Sequence, residues 1–224
     1  HKQMIGSGSS WSTSDGQQML WDAERTPVTM IAYAPFMSEA TPDASLTVNA
    51  LTNQSTEENV KSSDFLLMKA TVDPEQDLTA DGKLKISLNH AMSKLIIKIT
   101  VNGTTDASMS KLGDMAINGA VVNATCDLSA AAPVVVPAAD AVVATVAPYK
   151  GTESCECILP PQKIAEGFSV NFSYDGKLYI WTAKEAIELE KGVEHTLTLN
   201  VNTTVRLAAK VARNWATGQL IDRN

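Results

Sequence analysis

Alternation of apolar and polar residues is the feature that most constrains the fold of this chain. Successive side chains of a β-strand point to opposite faces, so apolar residues at every second position give the strand one face for a core. Segment 195–201 has this pattern, and its core face would carry His195, Leu197, Leu199 and Val201. Helical periodicity is sparse along the chain. We therefore predict an all-β fold built from antiparallel sheets.

The segment 168–181 predicts a β-hairpin. Apolar and polar residues alternate over 168–174, and Asp175-Gly176 supplies the pair that a two-residue type I′ turn holds at positive φ. Such a turn sets the cross-strand pairs that build one apolar face. The predicted pairs are Tyr174 with Lys177, Phe172 with Tyr179, and Val170 with Trp181.

A further pattern over 84–101 changes phase part-way. A slip of one residue turns the apolar set to the opposite face, so we expect a bulge or bend between Ala91 and Lys94. The core positions predicted before the slip are Leu84, Ile86, Leu88, His90 and Met92. Those predicted after it are Leu95, Ile97, Ile99 and Val101.

The remaining segments have weaker patterns. Residues 28–36 and 205–216 favour strands, and prolines limit 130–147 to short edge segments and loop. Residues 182–190 are compatible with a turn or two of helix. Residues 1–20 are polar and rich in glycine and serine, so we expect them to be flexible rather than part of a sheet.

The length of 224 residues suits two domains of about 100 residues each. Residues 102–106, Asn-Gly-Thr-Thr-Asp, form a polar, turn-rich break. Strand patterns without long helices lie on both sides of it, which favours antiparallel sandwiches over βαβ units. We therefore predict one β-sandwich over residues 1–103 and a second over 104–224.

Charge and composition exclude some classes of function. A net charge of −7 and an isoelectric point near 5.0 argue against binding to nucleic acid, which requires clustered lysine and arginine. No apolar run reaches the roughly 18 residues of a membrane-spanning helix. The chain opens at His1 without an initiator methionine and enters a Gly/Ser-rich stretch at 6–10, so we expect a processed or trimmed chain.

The three cysteines, Cys126, Cys155 and Cys157, cannot all pair within one chain. Along a strand the Cα atoms of residues i and i+2 lie roughly 6.5–7 Å apart, at the limit of disulfide geometry, so Cys155 and Cys157 are poorly placed to bridge each other. A bridge from Cys126 to either of them stays open. Zinc would need a fourth ligand, and the histidines are distant in sequence, so we predict no metal site.

Motifs for catalysis are absent. The sequence has no phosphate-binding loop, nucleophile elbow, zinc-protease motif or EF-hand loop. His90 and His195 occupy core positions of predicted strands, where a hydrogen-bonded core or boundary histidine is far more common than a catalytic base. We therefore predict no enzyme, no cofactor, and no catalytic, cofactor-binding or metal-binding residue.

Two other groups of residues invite a functional interpretation. The acidic residues Asp73, Glu75, Asp77 and Asp81 lack the glycine and glutamate spacing of a calcium loop, which favours a solvated loop. Trp11, Trp21, Trp181 and Trp215 are scattered singly, which favours core anchors over a sugar-stacking platform. The sequons at 53–55 and 102–104 are expected by chance in a chain rich in asparagine and threonine.

Several short segments are informative as an ordered set. The first half contains 21–36, ending Ile-Ala-Tyr-Ala-Pro-Phe, then Asp-Phe-Leu-Leu-Met-Lys-Ala at 64–70, and 84–99 with His-Ala-Met-Ser-Lys-Leu at 90–95. The second half contains Ile-Leu-Pro-Pro-Gln at 158–162, the hairpin 168–181, Leu-Glu-Lys-Gly at 189–192 and Asn-Trp at 214–215. In order and spacing this set resembles the fimbrillin-like proteins of Gram-negative gut and oral anaerobes, over most of the chain.

The resemblance implies a two-domain, transthyretin-like fold, export as a lipoprotein, and a structural, anchor or tip role in a surface fimbria that supports adhesion. It implies assembly by strand donation, with other fimbrial subunits as partners and host or bacterial surface ligands as further candidates. The implied location is the cell surface, either fimbrial or anchored in the outer membrane. A surface glycan-binding lipoprotein module is the alternative.

Either end of the chain is a candidate donor strand. Residues 205–221 have more apolar character than residues 1–20 and are the better candidate. The competing interpretation is that residues 205–221 complete their own domain as an ordinary last strand.

Overall fold

The computed structural model describes residues 2–7, 10–17, 20–38, 45–103, 107–201, 210–213 and 218–220. The strands before residue 103 are β1 (Met4–Ser7), β2 (Ser10–Thr13), β3 (Val28–Ala34), β4 (Ser45–Asn49), β5 (Leu66–Val72), β6 (Asn89–His90) and β7 (Ser93–Val101). A short helix, α1 (Glu57–Ser63), precedes β5, and a 3₁₀ turn, Met109–Lys111, precedes the strand after β7.

The later strands begin with β8 (Leu112–Val121), β9 (Asn123–Asp127), β10 (Val135–Pro137), β11 (Val143–Val146), β12 (Tyr149–Lys150), β13 (Cys155–Leu159) and β14 (Gln162–Ile164). They continue with β15 (Ser169–Tyr174), β16 (Lys177–Ala183), β17 (Ile187–Leu189), β18 (Glu194–Val201), β19 (Lys210–Arg213) and β20 (Gly218–Leu220). The prediction of an all-β protein is confirmed.

One large sheet dominates the described residues, with the order β11-β8-β15-β16-β20-β19-β18-β7-β13-β12. Its strands are antiparallel except for β7 and β18, which run parallel over eight residue pairs from Glu194↔Lys94 to Val201↔Val101. The smaller sheets have the orders β3-β5-β6, β10-β9-β4, β14-β17 and β1-β2.

Among the described residues, the buried hydrophobic side chains other than Val72 form one contiguous cluster. Strand β7 contributes Leu95, Ile97 and Ile99, which confirms three of the four positions predicted after the phase slip, and Val101 packs against the cluster while only partly buried. Burying one such aliphatic side chain stabilises the fold by roughly 1.5–3 kcal/mol. The cluster also receives the core face of β18, where Leu197, Leu199 and Val201 are buried as predicted.

Strand pairing crosses the predicted domain boundary at residue 103. Strand β7 pairs with β13 and β18, and β4 pairs with β9. The division at residue 103 and the two-domain, transthyretin-like arrangement stay predictions. The pairing adds that the last strand before that boundary is hydrogen-bonded to strands that follow it.

The 168–181 hairpin is confirmed in both register and turn. Strands β15 and β16 pair Tyr174 with Lys177, and their turn residues Asp175 and Gly176 have φ angles of 51° and 75°. The ring of Phe172 stacks on that of Tyr179, with centroids 5.3 Å apart and planes 13° apart. Offset aromatic pairs of this kind stabilise beyond their buried area.

The strand predicted over 84–92 is largely wrong. Its only ladder in the described residues is β6, where His90 and Asn89 pair with Leu66 and Leu67 of β5. Leu84 forms an isolated bridge, and Ile86 is 39% exposed. Alternation alone does not provide a partner: β3 pairs along the whole length of β5, whereas β6 reaches only its first two residues.

Weaker sequence patterns had mixed outcomes. The turn or two of helix over 182–190 is wrong, since this stretch contains the end of β16 and the strand β17, which pairs with β14. Met4–Ser7 and Ser10–Thr13 pair as the antiparallel strands β1 and β2, so the expectation that residues 1–20 take no part in a sheet is wrong for these residues. The short segments predicted within 130–147 are confirmed as β10 and β11.

The strand predicted at 28–36 is β3, where Ile31 and Tyr33 pack on the core and Phe36 is 43% exposed. Of the predicted strand 205–216, residues 210–213 form β19. The rest of that stretch lies outside the described residues.

A lysine ties one small sheet to the hairpin formed by β9 and β10. The Lys69 ammonium of β5 donates to the carbonyls of Leu128, Ser129 and Ala130 at 2.7, 3.3 and 2.8 Å. The loop 128–130 has no strand partner, so these carbonyls need other donors. The ammonium group provides them, and charged donors form strong hydrogen bonds.

Replacing Gly176 with valine is expected to lower the free energy of unfolding by about 1–3 kcal/mol, because a β-branched residue is strained at positive φ. Apart from its two neighbours in the chain, no residue has an atom within 4 Å of an added Cβ, so strain rather than a clash is tested. Chemical denaturation measures the loss. The exposed strand position Lys177 provides the control Lys177→Val, and equal stability of the two variants would contradict the assigned turn.

Candidate functional site

The two edge strands of the large sheet are consecutive strands of the chain. Strands β11 and β12 end the strand order on opposite sides, yet only Ala147 and Pro148 separate them in sequence. We call this junction of β11, β12 and the adjoining part of β13 the seam. Sheet edges matter because their unpaired backbone groups can pair with another chain.

Residues 50–54 run along the seam and are tied to it by the backbone. The Ala50 N–H donates to the Val122 carbonyl at 3.0 Å. At the end of β11, Ala147 N–H donates to Thr52 O at 2.8 Å, and Gln54 N–H donates to Ala147 O at 2.8 Å. Asn53 and Ala147 consequently form a parallel bridge.

The Gln54 side chain reaches the other side of the seam. It is fully buried at 0% exposure. Its Nε2 donates to the Ile158 carbonyl at 2.8 Å, and its Oε1 accepts from the Ile158 N–H at 2.8 Å. The second N–H of Nε2 donates a hydrogen bond to the Leu51 carbonyl at 2.9 Å. The amide therefore makes with Ile158 the two-way pair that a neighbouring strand would make.

Helix α1 follows directly and forms one wall of a cleft. Thr56 caps the helix, and its Oγ1 accepts a hydrogen bond from the Asn59 N–H at 3.2 Å. Glu57 and Glu58 in the first turn interact favourably with the positive end of the helix dipole. The cleft has a volume of about 370 Å³ and is bounded by α1 and the adjoining ends of β7, β13 and β18. Its polar lining includes Glu57, Lys61, His90, Lys94, Glu156 and Glu194.

Lys94 is the charged centre of the cleft. Its strand β7 lies between β13 and β18, so its ammonium meets Glu156 at 2.9 Å on one side and Glu194 at 3.4 Å on the other. The hydrogen bond to Glu156 is the main cause that raises the pKa of Lys94. Nearby, Tyr149 donates to Glu57 at 3.1 Å, and this bond raises the pKa of the phenol.

The two histidines weighed from the sequence have different positions. His195 is buried and its Nε2 accepts from the Glu190 N–H at 2.9 Å, which confirms a hydrogen-bonded core histidine. His90 is 66% exposed, with Nδ1 2.7 Å from Asp64 Oδ2. Its predicted core position is wrong because β6 is too short to carry it into the core.

The other candidate groups remain separate. The acidic residues form the predicted solvated loop, in which Asp73 accepts from the Glu75 N–H at 2.9 Å and Asp81 pairs with Lys83. Among the tryptophans, Trp181 is fully buried, Trp21 is half-buried and Trp11 is 58% exposed. The position of Trp215 lies outside the described residues.

Within the described ranges, no group of three or more His, Cys, Asp or Glu residues is arranged to hold a metal ion. The same part of the chain contains no helix that is long and apolar enough to cross a membrane.

The cysteines are free and buried. Burial raises the pKa of the Cys126 and Cys157 thiols, and it raises that of Cys155 to about 11. The nucleophilic thiolate is therefore scarce at neutral pH.

A second structural feature lies in the middle of the large sheet. Strands β18 and β16 are joined through β19 and β20 rather than paired directly. Strand β19 pairs with β18 over Leu197–Leu199, and β20 pairs with β16 over Trp181–Ala183. Residues 210–213 and 218–220 therefore contribute the strands that lie between two long strands of the core.

Sequence reasoning missed the residues that organise the seam and the cleft. Gln54 lies in a segment noted only as a sequon, and Gln162 lies within the 158–162 motif without an assigned role. The amide of Gln162 makes a two-way pair with Val121, donating to O and accepting from N–H at 2.9 Å each. A single glutamine carries no local signal for such a contact, because its partner is distant in sequence.

Comparison with known proteins assigns the family. The sequence profile described as fimbrillin-like matches residues 1–215. The chain belongs to the fimbrillin-like family. This confirms the resemblance inferred from the ordered segments. The family is one of structural and adhesion proteins of the cell surface, not of enzymes.

Solved structures share the fold. A candidate cell adhesion protein from Bacteroides uniformis is 17% identical, with a TM-score of 0.69 over 95% of this chain and 79% of that one. A second, from Bacteroides ovatus, is 17% identical, with a TM-score of 0.60 over 98% of this chain and 75% of that one.

A fimbrial protein from Bacteroides ovatus is also 17% identical, with a TM-score of 0.54 over 92% of this chain and 42% of its own length. This chain therefore spans less than half of that fimbrial protein. No curated protein matches the sequence.

The ion pairs at Lys94 generate one prediction. Lys94→Met is expected to lower the free energy of unfolding by about 1 kcal/mol, because it leaves the half-buried Glu156 without its cation. The control Lys98→Met changes an exposed lysine of the same strand. Urea unfolding measures both variants, and equal losses would contradict the role of the ion pairs.

The raised pKa of Lys94 gives this contribution a pH dependence. The folded state holds the proton more tightly, so the stabilisation is fully present below the ordinary value of 10.5 and is lost as pH rises above it. The difference between parent and Lys94→Met should therefore shrink at strongly alkaline pH.

The cysteines generate another prediction. In the folded protein, labelling by a thiol reagent such as DTNB at neutral pH should be slow, and all three thiols should react after denaturation. Rapid labelling of any cysteine in the folded state would contradict its burial. Absorbance of the released thiolate measures the reaction.

Proposed function

We propose that this protein is a subunit of a cell-surface fimbria that joins its neighbours by exchanging the C-terminal segment 205–221. The observation that carries the proposal is the position of β19 and β20 between β18 and β16. Of the two candidate donor segments, the more apolar one thus supplies two strands of the large sheet. Without them the sheet would be incomplete.

The physical basis is the need to satisfy two sheet edges. With residues 210–220 withdrawn, the β19-facing edge of β18 and the β20-facing edge of β16 would expose backbone donors and acceptors. The same segment from a neighbouring subunit would restore those hydrogen bonds. Exchange of an identical element between subunits preserves the interactions of the monomer while it joins molecules, so its cost is low.

This proposal reconciles the two interpretations of the terminal segment. In the monomer it completes its own sheet, and in the fiber the same pairing connects subunits. Membership of the fimbrillin-like family and the shared fold of one solved fimbrial protein support a structural subunit. The same proposal includes three further properties. The fimbria supports adhesion, the protein is anchored in the outer membrane as a lipoprotein, and it interacts with host or bacterial surface ligands.

The glycan-binding alternative has less support from the described residues. A sugar-stacking platform needs several exposed aromatic faces close together. Trp181 is buried in the core, where its ring packs edge-on against Phe168 at 6.0 Å, and it cannot contribute to such a platform.

A disulfide trap tests the exchange on the full chain. Thr198 and Ala212 are partners in the β18–β19 register, so Thr198→Cys with Ala212→Cys places two thiols opposite each other. Oxidation of assembled protein is expected to give a ladder of covalent multimers on a non-reducing gel. Thr198→Cys alone, oxidised in the same way, serves as the control.

The two origins of the segment predict different products. A segment that stays in its own subunit would give an internal disulfide and a monomer band even in assembled protein. That result would sink the proposed exchange, whereas the ladder supports it.

A further inference from the structure

The seam presents a problem that the proposed exchange leaves open. A protein that polymerises by strand addition must not add strands at the wrong edge, and edges are commonly protected by covering them. The large sheet ends at β11 and β12, two strands of four and two residues, and Val143 of β11 and the preceding Val142 are exposed apolar residues. An unprotected edge at this point would invite pairing with another chain.

The outward edge of β13 is fully occupied. Glu156 faces Tyr149 of β12. Two residues further on, both backbone groups of Ile158 are bonded to the Gln54 amide at 2.8 Å, and Pro160 after the strand has no N–H to offer. Alternate residues of a strand direct their backbone groups to the same side, so Glu156 and Ile158 account for the outward groups of β13.

The end of β11 is closed by the same residue. Ala147 donates to Thr52 O and accepts from Gln54 N–H, both at 2.8 Å. Gln54 thus bonds one edge through its backbone and the other through its side chain. Its amide has two donors and an acceptor in use and is fully buried, which fixes it in one orientation.

Only a primary amide can imitate a peptide group in this way. Glutamate accepts but does not donate when ionised, and methionine, of similar shape, neither donates nor accepts strongly. The half-buried Gln162 makes the same two-way pair with Val121, the last residue of β8. The structure therefore uses a glutamine side chain twice as a substitute for one residue of strand.

We propose that the Gln54 side chain takes the place of a neighbouring strand and so protects the seam against strand addition. Subunit exchange is thereby directed to the gap between β16 and β18. Only the second of these statements rests on the proposed exchange. The protection itself, which we call the seal, is a property of the monomer and is tested separately.

Amide hydrogen exchange of the unchanged protein is the first test. The Ile158 N–H is expected to be as protected as amides in the middle of β7, such as that of Ile97, because its acceptor is a buried side-chain oxygen. Exchange of Ile158 as fast as that of an exposed loop amide would overturn the seal. This measurement does not depend on the folding of any variant.

The variant Gln54→Met keeps the shape and removes the hydrogen bonds. We expect Ile158 to exchange at least about tenfold faster, since losing a buried partner costs about 1.4 kcal/mol or more, the equivalent of a factor of ten. The matched control is Gln76→Met, which changes an exposed glutamine bonded to Asp73 in the solvated loop. Gln54→Asn, which keeps the amide but is too short to bridge the seam, is the second variant if Gln54→Met does not fold.

Sedimentation velocity then tests what the seal excludes. The variants are prepared with Thr198→Cys and Ala212→Cys oxidised as dilute monomer, which locks the terminal segment in its own subunit. Locked protein with Gln54 is expected to stay monomeric, and locked protein with Gln54→Met to associate as concentration rises. A locked Gln54→Met protein that stays monomeric although Ile158 exchanges rapidly would overturn the seal and leave the proposed exchange standing.

Association of the locked protein with Gln54 intact would instead count against exchange through the terminal segment. The seal would then be judged by the difference between the two locked proteins. Greater association of Gln54→Met supports it, and equal association overturns it.

Discussion

The position of β7 between β13 and β18 is the arrangement on which the rest of the structure depends. This strand pairs in parallel with β18 over residues 94–101 and antiparallel with β13 over residues 93–97. It sends Leu95, Ile97 and Ile99 into the core and Lys94 into the cleft between Glu156 and Glu194. Parallel strands cannot be joined by a tight turn, and the chain between β7 and β18 builds the other strands of the large sheet except β19 and β20, which follow β18.

The need to give backbone groups hydrogen-bond partners explains several contacts that are otherwise unrelated. The Lys69 ammonium holds three loop carbonyls beside β5, Gln162 completes the pairing of Val121, and Gln54 spans the seam. In each case a long polar side chain supplies hydrogen bonds where no strand is available. Buried backbone groups without partners are costly, so such substitutions stabilise a fold with many short strands.

The same requirement connects the structure to its family. Fimbrillin-like proteins are structural and adhesion proteins, and the central strands β19 and β20 are the ones assigned to the proposed exchange between subunits. The proposed exchange needs one edge that exchanges strands and others that do not. The short strands β11 and β12 and the buried amide of Gln54 meet the second need, because they leave few backbone groups for another chain to pair with.

Local chemistry accounts for what was predictable. The 168–181 hairpin followed from alternation and from Asp175-Gly176, since both are properties of adjacent residues. The core faces of β7 and β18 followed for the same reason. The family followed from several short segments in a fixed order, although each segment alone is common in β proteins.

By itself, the sequence determined the all-β class, the hairpin register, the apolar faces of the long strands and the family. The tertiary structure alone decided which strands are neighbours, that residues 84–88 lack a ladder, that His90 is exposed, and that Gln54 and Lys94 lie at the seam and the cleft. The reason is physical: the direction of a side chain is set by its own backbone, whereas a hydrogen-bond partner across a sheet is set by residues far away in sequence.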